Sequence, residues 1–221
     1  ITTDVRRYNA AAVGSRMRCI VTPTSTASPG AGGVAMMNSF SGSGRAFSAT
    51  VPCWVFNTSV TAIAESVSHE VGHTLGLFHS GKSSPAAEYF SGHGTGALSW
   101  GPIMGVSYSR GVTQWSKGEY QGANNRQDQV AIIKSVPGGA IDMAAPSDPP
   151  APGRRDGSGR VAGAGAAESS LTANVSGRVA AGRYLLVIQG SGKGKPESDG
   201  YSRDGSMGRY FVTGTVEGVG V

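Results

Sequence analysis

Residues 68–80 read SHEVGHTLGLFHS and hold three of the chain's four histidines. On a helix, His69 and His73 lie one turn apart on the same face, so their imidazoles can converge on a single metal ion. Glu70 stands beside the first of them, close enough to reach a water on that metal without ligating it. Gly76 can adopt the left-handed conformation that releases a chain from a helix. The turn after it would swing His79 back as a third ligand. Three neutral imidazoles leave the fourth position of a tetrahedral zinc ion open, and an open position marks a catalytic rather than a structural site. One zinc ion there would lower the pKa of water to about 7, with Glu70 as general base. A bare H-E-x-x-H also arises in amphipathic helices with surface histidines. Gly76 and His79 in register make the longer pattern far more specific.

Four further positions carry possible chemistry. Met104 lies 25 residues after His79 in the Gly/Pro-rich run SWGPIMGVSY. A methionine in a tight turn there can form an apolar floor under the imidazoles; alone it would read as a core side chain. Tyr108 could hydrogen-bond an oxyanion or substrate, or simply pack. His93, in FSGHGTG, reads as a loop histidine rather than a ligand. Asp199 and Asp204 stand in Gly-rich turns, where solvated turn residues are expected and calcium ligation is the open alternative.

The elements that must position these groups follow from local pattern. Residues 58–77 form the strongest helix: Asn57, Thr58 and Ser59 offer an N-cap, and Ile63, Val67, Val71 and Leu75 make one apolar stripe. Residues 1–56 read as strands and loops, with β-runs at RMRCIVTPT, GVAMMNSF and CWVFN. WSKGEY is expected to open a helix, with Ser116 and Glu119 at capping-box spacing, and QDQVAIIKSV to form a final one after a break at Asn124–Asn125. Cys19 and Cys53 each sit in a strand-like run and read as one disulfide between neighbouring strands, buried free thiols being the alternative. The expected architecture is α+β: a twisted sheet packed on the zinc helix and an irregular region after His79, spanning 1–136. A Pro/Gly/Ala-rich linker over 137–170 follows, then a small β-sandwich-like module over 171–221.

Composition bounds the rest. Only 38% of the 221 residues are hydrophobic and 35 are Gly, which is lean for one compact domain and predicts long loops. The formal charge of +5 comes from basic residues that are scattered or paired, without the cluster a nucleic-acid surface needs. No apolar run reaches the ~18 residues of a membrane span. The start at Ile1 reads as a processed or cropped end and says nothing against secretion.

H-E-x-x-H-x-x-G-x-x-H followed by Met104 resembles the metzincin clan of zinc endopeptidases, with Met104 at the Met-turn position. GGVAMMNSF resembles the edge-strand segment of reprolysin-like members. The resemblance implies that Gly33, Val34 and Ala35 present main-chain groups to an extended protein or peptide substrate. TQWSKGEYQGANN is similar to secreted bacterial reprolysin-like enzymes with C-terminal β-domains. The tail GRYLLVIQGSGKG…GYSRDGSMGRYFVTGTV is similar to the closing strands of a pre-peptidase C-terminal type domain. The likeness covers about 1–135 and 171–217. It implies a secreted zinc metalloendopeptidase, with the segment after Met104 lining a substrate pocket. Departures are Ser80 where the reprolysin group often has Asp, and Val106 where astacins and serralysins place a tyrosine ligand. The chain also begins too late to hold the first strand and long helix of a metzincin, and its C-terminal module lacks opening strands. The alternatives are a zinc-binding but inactive fragment and a surface- or matrix-binding scaffold. Retention of Glu70 argues for the enzyme.

Overall fold

The computed structural model describes residues 3–12, 14–40, 51–136, 153–155, 161–164, 171–180, 182, 184–186, 190–205 and 213–215. Within them the fold is mixed α+β, with small sheets and few helices. The first sheet has the order β1 (Cys19–Val21), β3 (Cys53–Val55), β2 (Gly33–Val34), so β3 is central and β2 is an edge. β1 runs parallel to β3 and β2 antiparallel to it. A short helix α1 (Val5–Ala10) precedes this sheet, in a stretch the sequence pattern reads as strand and loop. Its signal was Asp4, whose side chain caps the helix by accepting from the Arg6 N–H.

The helix that carries His69, Glu70 and His73 is α2 (Val60–Thr74), packed across the first sheet. Of the three offered caps Ser59 takes the role, its hydroxyl accepting from the Ala62 N–H. Helical geometry ends at Leu75, and Gly76 follows at φ +95°. The expected stripe Ile63, Val67, Val71 and Leu75 is only half-buried. The most buried row is Ser66, Glu70 and Thr74, one step round the helix. That face points at the edge strand and cleft, so small and polar side chains occupy the helix–sheet interface.

Beyond α2 the chain forms a hairpin, β4 (Lys82–Ser83) with β5 (Ala86–Ala87), and a parallel pair, β6 (Trp100–Pro102) with β7 (Val112–Gln114). The helix α3 (Gln129–Ser135) agrees with the expected final helix and is capped by Asp128. No helix forms at WSKGEY. Gly118 sits at φ +69°, its N–H donates to the Ser116 hydroxyl, and the Ser116 N–H donates to the Gln129 side chain. Ser116 therefore closes a turn against α3 instead of opening a helix. Among the described residues no helix is long and apolar enough to cross a membrane.

The expected Cys19–Cys53 disulfide is absent: both are free thiols. They occupy directly paired positions on β1 and β3 and are hydrogen-bonded to each other. That bond and burial together hold the Cys53 thiol far above its ordinary pKa. A buried thiol kept protonated is a poor nucleophile for exchange.

The C-terminal part differs from the expected linker and module. β8 (Gly153–Arg155) and β9 (Val161–Ala164), within the stretch read as linker, form an antiparallel sheet with β10 (Leu185–Leu186) in the order β10-β8-β9. The described residues 171–180 form no strand, and most of GRYFVTGTV lies outside the described residues. Residues 190–205 pack on the body that carries α2. Tyr201 is buried with Trp100 and Tyr120, Phe90 stacks on Tyr120, and the Lys117 ammonium lies 2.6 Å from Asp204. His93 is bound up in this contact through Gly200 O. Tyr201→Ala should therefore lower the unfolding free energy of the whole body by about 3 kcal/mol, whereas Asp204→Ala, at a half-exposed ion pair, should cost under about 1 kcal/mol. Urea unfolding followed by tryptophan fluorescence measures both. Equal, small effects would mean that the tail does not share this core.

Candidate metal centre

His69, His73 and His79 come together as the sequence spacing requires. Among the described residues they form the one group of three or more His, Cys, Asp or Glu side chains able to hold a metal. His73 Nε2 is 3.1 Å from His69 Nε2 and 3.0 Å from His79 Nε2. The opposite ring nitrogens are each engaged: His69 Nδ1 lies 2.8 Å from Ile103 O, His73 Nδ1 2.7 Å from Leu77 O, and His79 Nδ1 2.8 Å from Glu88 Oε1. Carbonyl and carboxylate oxygens accept, so each Nδ1 donates, and a ring that is neutral then presents a lone pair at Nε2. Burial first, then the neighbouring His73 ring, pushes His69 down to about 4, against the bond to Ile103; burial also lowers His73. Three imidazoles whose Nε2 atoms converge, each ring fixed from behind at Nδ1, form a donor set that a divalent cation satisfies.

Backbone contacts set this arrangement. After Gly76, the Phe78 N–H donates to Gln127 Oε1, and Gln127 Nε2 donates to Gly76 O. Asn125 Nδ2 donates to Phe78 O and His79 O. The irregular segment that carries His79 thus has its polar groups satisfied from the 124–127 loop. The Met104 turn is joined to the same segment by the Ser80 N–H, which donates to Met104 O at 2.7 Å, and to His69 through Ile103 O. Ser80 is buried and its hydroxyl accepts from Gln129 Nε2. Glu65, two turns into α2 from its cap, accepts from Ser107 and Thr113 and pins the β6–β7 region to the helix.

Met104 is fully buried with Leu77 and Ile133. Its sulfur lies against the helix at Gly72, where an added Cβ would meet Sδ at 2.6 Å. Glu70 lines the cleft beside the three rings, and burial pushes its carboxyl up to about 7. It lies directly over Gly33, where an added Cβ would come within 2.5 Å of Glu70 Oε1 and 2.7 Å of Trp54 O. Gly33 thus makes room for the carboxylate as well as forming the edge strand.

A cleft of about 650 Å³ contains the rings, Glu70, Gly33, Val34 and Ala35. Tyr108 also lines it, on the edge-strand side, where its hydroxyl meets Ser66 Oγ at 3.1 Å and accepts from Asn57 at 3.3 Å. Tyr89 lines the opposite wall, its ring 4.4 Å from that of His79. His93, Asp199, Asp204 and the two cysteines stand outside this group. Glu65, Glu88, Tyr89, Asn125 and Gln127 were not singled out from the sequence. Asn124–Asn125 registered only as a helix break, and Glu88 carries no periodic signal. Comparison with protein-family models, curated proteins and solved structures finds no match to the chain.

The contact between Gly72 and Met104 predicts a reversal of sign. Alanine is favoured over glycine in a helix by about 1 kcal/mol, but Gly72→Ala should destabilise the protein by about 1 kcal/mol net, because overpacking costs about 1–3 kcal/mol. In a Met104→Ala background the same change should become stabilising. Thermal unfolding of the four proteins in the cycle reads this out. Additive effects would show that the methionine does not press on the helix.

Proposed function

We propose that the chain is a zinc-dependent endopeptidase of metzincin type, hydrolysing peptide bonds of protein or peptide substrates outside the cell. The observation that carries this reading is the convergence of three Nε2 atoms, each ring fixed by an acceptor at Nδ1, in one cleft with Glu70. His69, His73 and His79 would hold the ion. When bound, zinc with an open position supplies Lewis acidity, lowering the pKa of water to about 7 and polarising a carbonyl oxygen.

The chain's own groups supply the rest. Among the described residues β2 is an edge of its sheet, and it faces the cleft, so its main chain can pair with an extended peptide in the manner of an added strand. Glu70 lies over Gly33 of that strand, which sets the carboxylate beside the backbone of a peptide so paired. Glu70 accepts the proton of the attacking water and then delivers it to the leaving amine. Burial raises the proton affinity of this carboxylate towards neutrality, which suits a group that must take up and release a proton in one turnover. Phe78, Tyr89, Val106 and Tyr108 line the cleft and are partly exposed, so an apolar or aromatic substrate side chain is favoured near the scissile bond.

Zinc-loaded chain incubated with an unfolded protein should release fragments, and a strong chelator should stop it. Glu70→Gln should retain zinc while turnover falls by about 10²–10⁴-fold, the usual contribution of a positioned general base. Fragment release by electrophoresis and bound metal by atomic absorption separate the two effects. Folded, zinc-bound parent protein that cleaves nothing would leave a metal-binding scaffold and reject the peptidase.

A further inference from the structure

We propose that Glu88 is a positioning residue for the third metal ligand, selecting the His79 tautomer that offers Nε2 to the ion. This rests on the metal-centre reading above. His69 and His73 stand on a rigid helix, and backbone carbonyls fix both of their rings. His79 lies on irregular chain past Gly76, and its Nδ1 meets a side-chain carboxylate instead, at 2.8 Å. Asn125 holds the His79 backbone, but rotation and tautomer of the ring are left to Glu88 and to the packing of Tyr89.

The hairpin explains how Glu88 returns to this place. β4 begins three residues after His79, and the register Lys82↔Ala87 and Ser83↔Ala86, continued one step, sets Glu88 across from Gly81. An added Cβ at Gly81 would lie 2.2 Å from Ala87 O and 2.4 Å from Glu88 O, so only glycine lets the returning strand pass this close. The Phe90 N–H donates to Ser80 O and closes the pairing beyond it. The Tyr89 hydroxyl lies beside the Glu88 carboxylate, which adds a second neighbour that orients it. Free neutral histidine prefers the Nε2–H tautomer, which puts a proton where the metal needs a lone pair. An ionised carboxylate at Nδ1 reverses that preference.

The test uses the full chain and the variants Glu88→Ala and Glu88→Gln. The Glu88 side chain is 66% exposed, so both variants should fold with the parent's melting temperature in the metal-free state. Zinc affinity, measured by competition with a chromophoric chelator, should fall about 10–100-fold in Glu88→Ala. It should fall less in Glu88→Gln, which keeps an acceptor oxygen. Nitrogen-15 NMR of the metal-free chain should show His79 as the Nδ1–H tautomer in the parent and as Nε2–H in Glu88→Ala. Weaker zinc binding with an unchanged tautomer would reduce Glu88 to a nearby charge and overturn the proposal, as would unchanged affinity. A parent that binds no zinc would reject the metal reading, while the tautomer in the metal-free chain would still decide the role of Glu88.

Discussion

His73 Nε2 lies about 3 Å from the Nε2 atoms of both His69 and His79, and most of the contacts around the three rings serve that placement. Lone pairs at this range repel unless a cation lies between them, so the rings cannot be held there by mutual attraction. They are held from behind. Each Nδ1–H is spent on an acceptor, and the three acceptors come from different parts of the chain: the Met104 turn, the helix exit and the β4–β5 hairpin. Orientation of the site is therefore a property of the fold after α2 as much as of the helix that carries the motif.

This division explains the polarity of the interior. A chain with 38% hydrophobic residues has little apolar area to spend on fixing loops. The described buried clusters beyond the first sheet are correspondingly small: Leu77, Met104 and Ile133 in one, Trp100, Tyr120 and Tyr201 in the other. Between them, side-chain-to-backbone hydrogen bonds do the fixing. Gln127 and Asn125 hold the turn that bears His79, Gln129 holds Ser80 and Ser116, and Tyr120 donates to Gly81 O. Each contributes only about 1 kcal/mol net, but an unsatisfied buried carbonyl costs more than a formed bond gains. Such a network therefore specifies geometry more strongly than it adds stability.

The convergence of His69 and His73, with Glu70 beside them, was legible because a helix converts spacing into direction: residues four apart share a face whatever else the protein does. Gly76 was legible for a similar reason, since a left-handed residue at a helix exit has a narrow choice of types. Glu88 was not legible, because its place depends on a hairpin register and on a glycine opposite it, neither of which leaves a periodic trace. WSKGEY misled because a capping-box spacing is satisfied equally well by a serine that turns back on a neighbouring helix. The half-burial of Ile63 and Val67 went unseen for a related reason. Periodicity finds the apolar face of a helix, while a cleft lined by Ser66 and Glu70 draws the sheet towards its polar one.

The small residues follow from the same geometry. Gly33 lies beneath the Glu70 carboxylate, Gly72 beneath the Met104 sulfur, and Gly81 beneath the returning hairpin. In each case another part of the chain approaches the backbone more closely than a Cβ would permit. Glycine in a helix or strand costs about 0.5–1 kcal/mol relative to alanine, so these positions are destabilising for the elements that contain them. The cost is offset by what each close approach provides: Glu70 set beside the edge strand, a turn locked to the helix between His69 and His73, and a carboxylate behind His79. A chain rich in glycine reads at first as loosely structured, yet three of its glycines lie where the proposed site is packed most tightly.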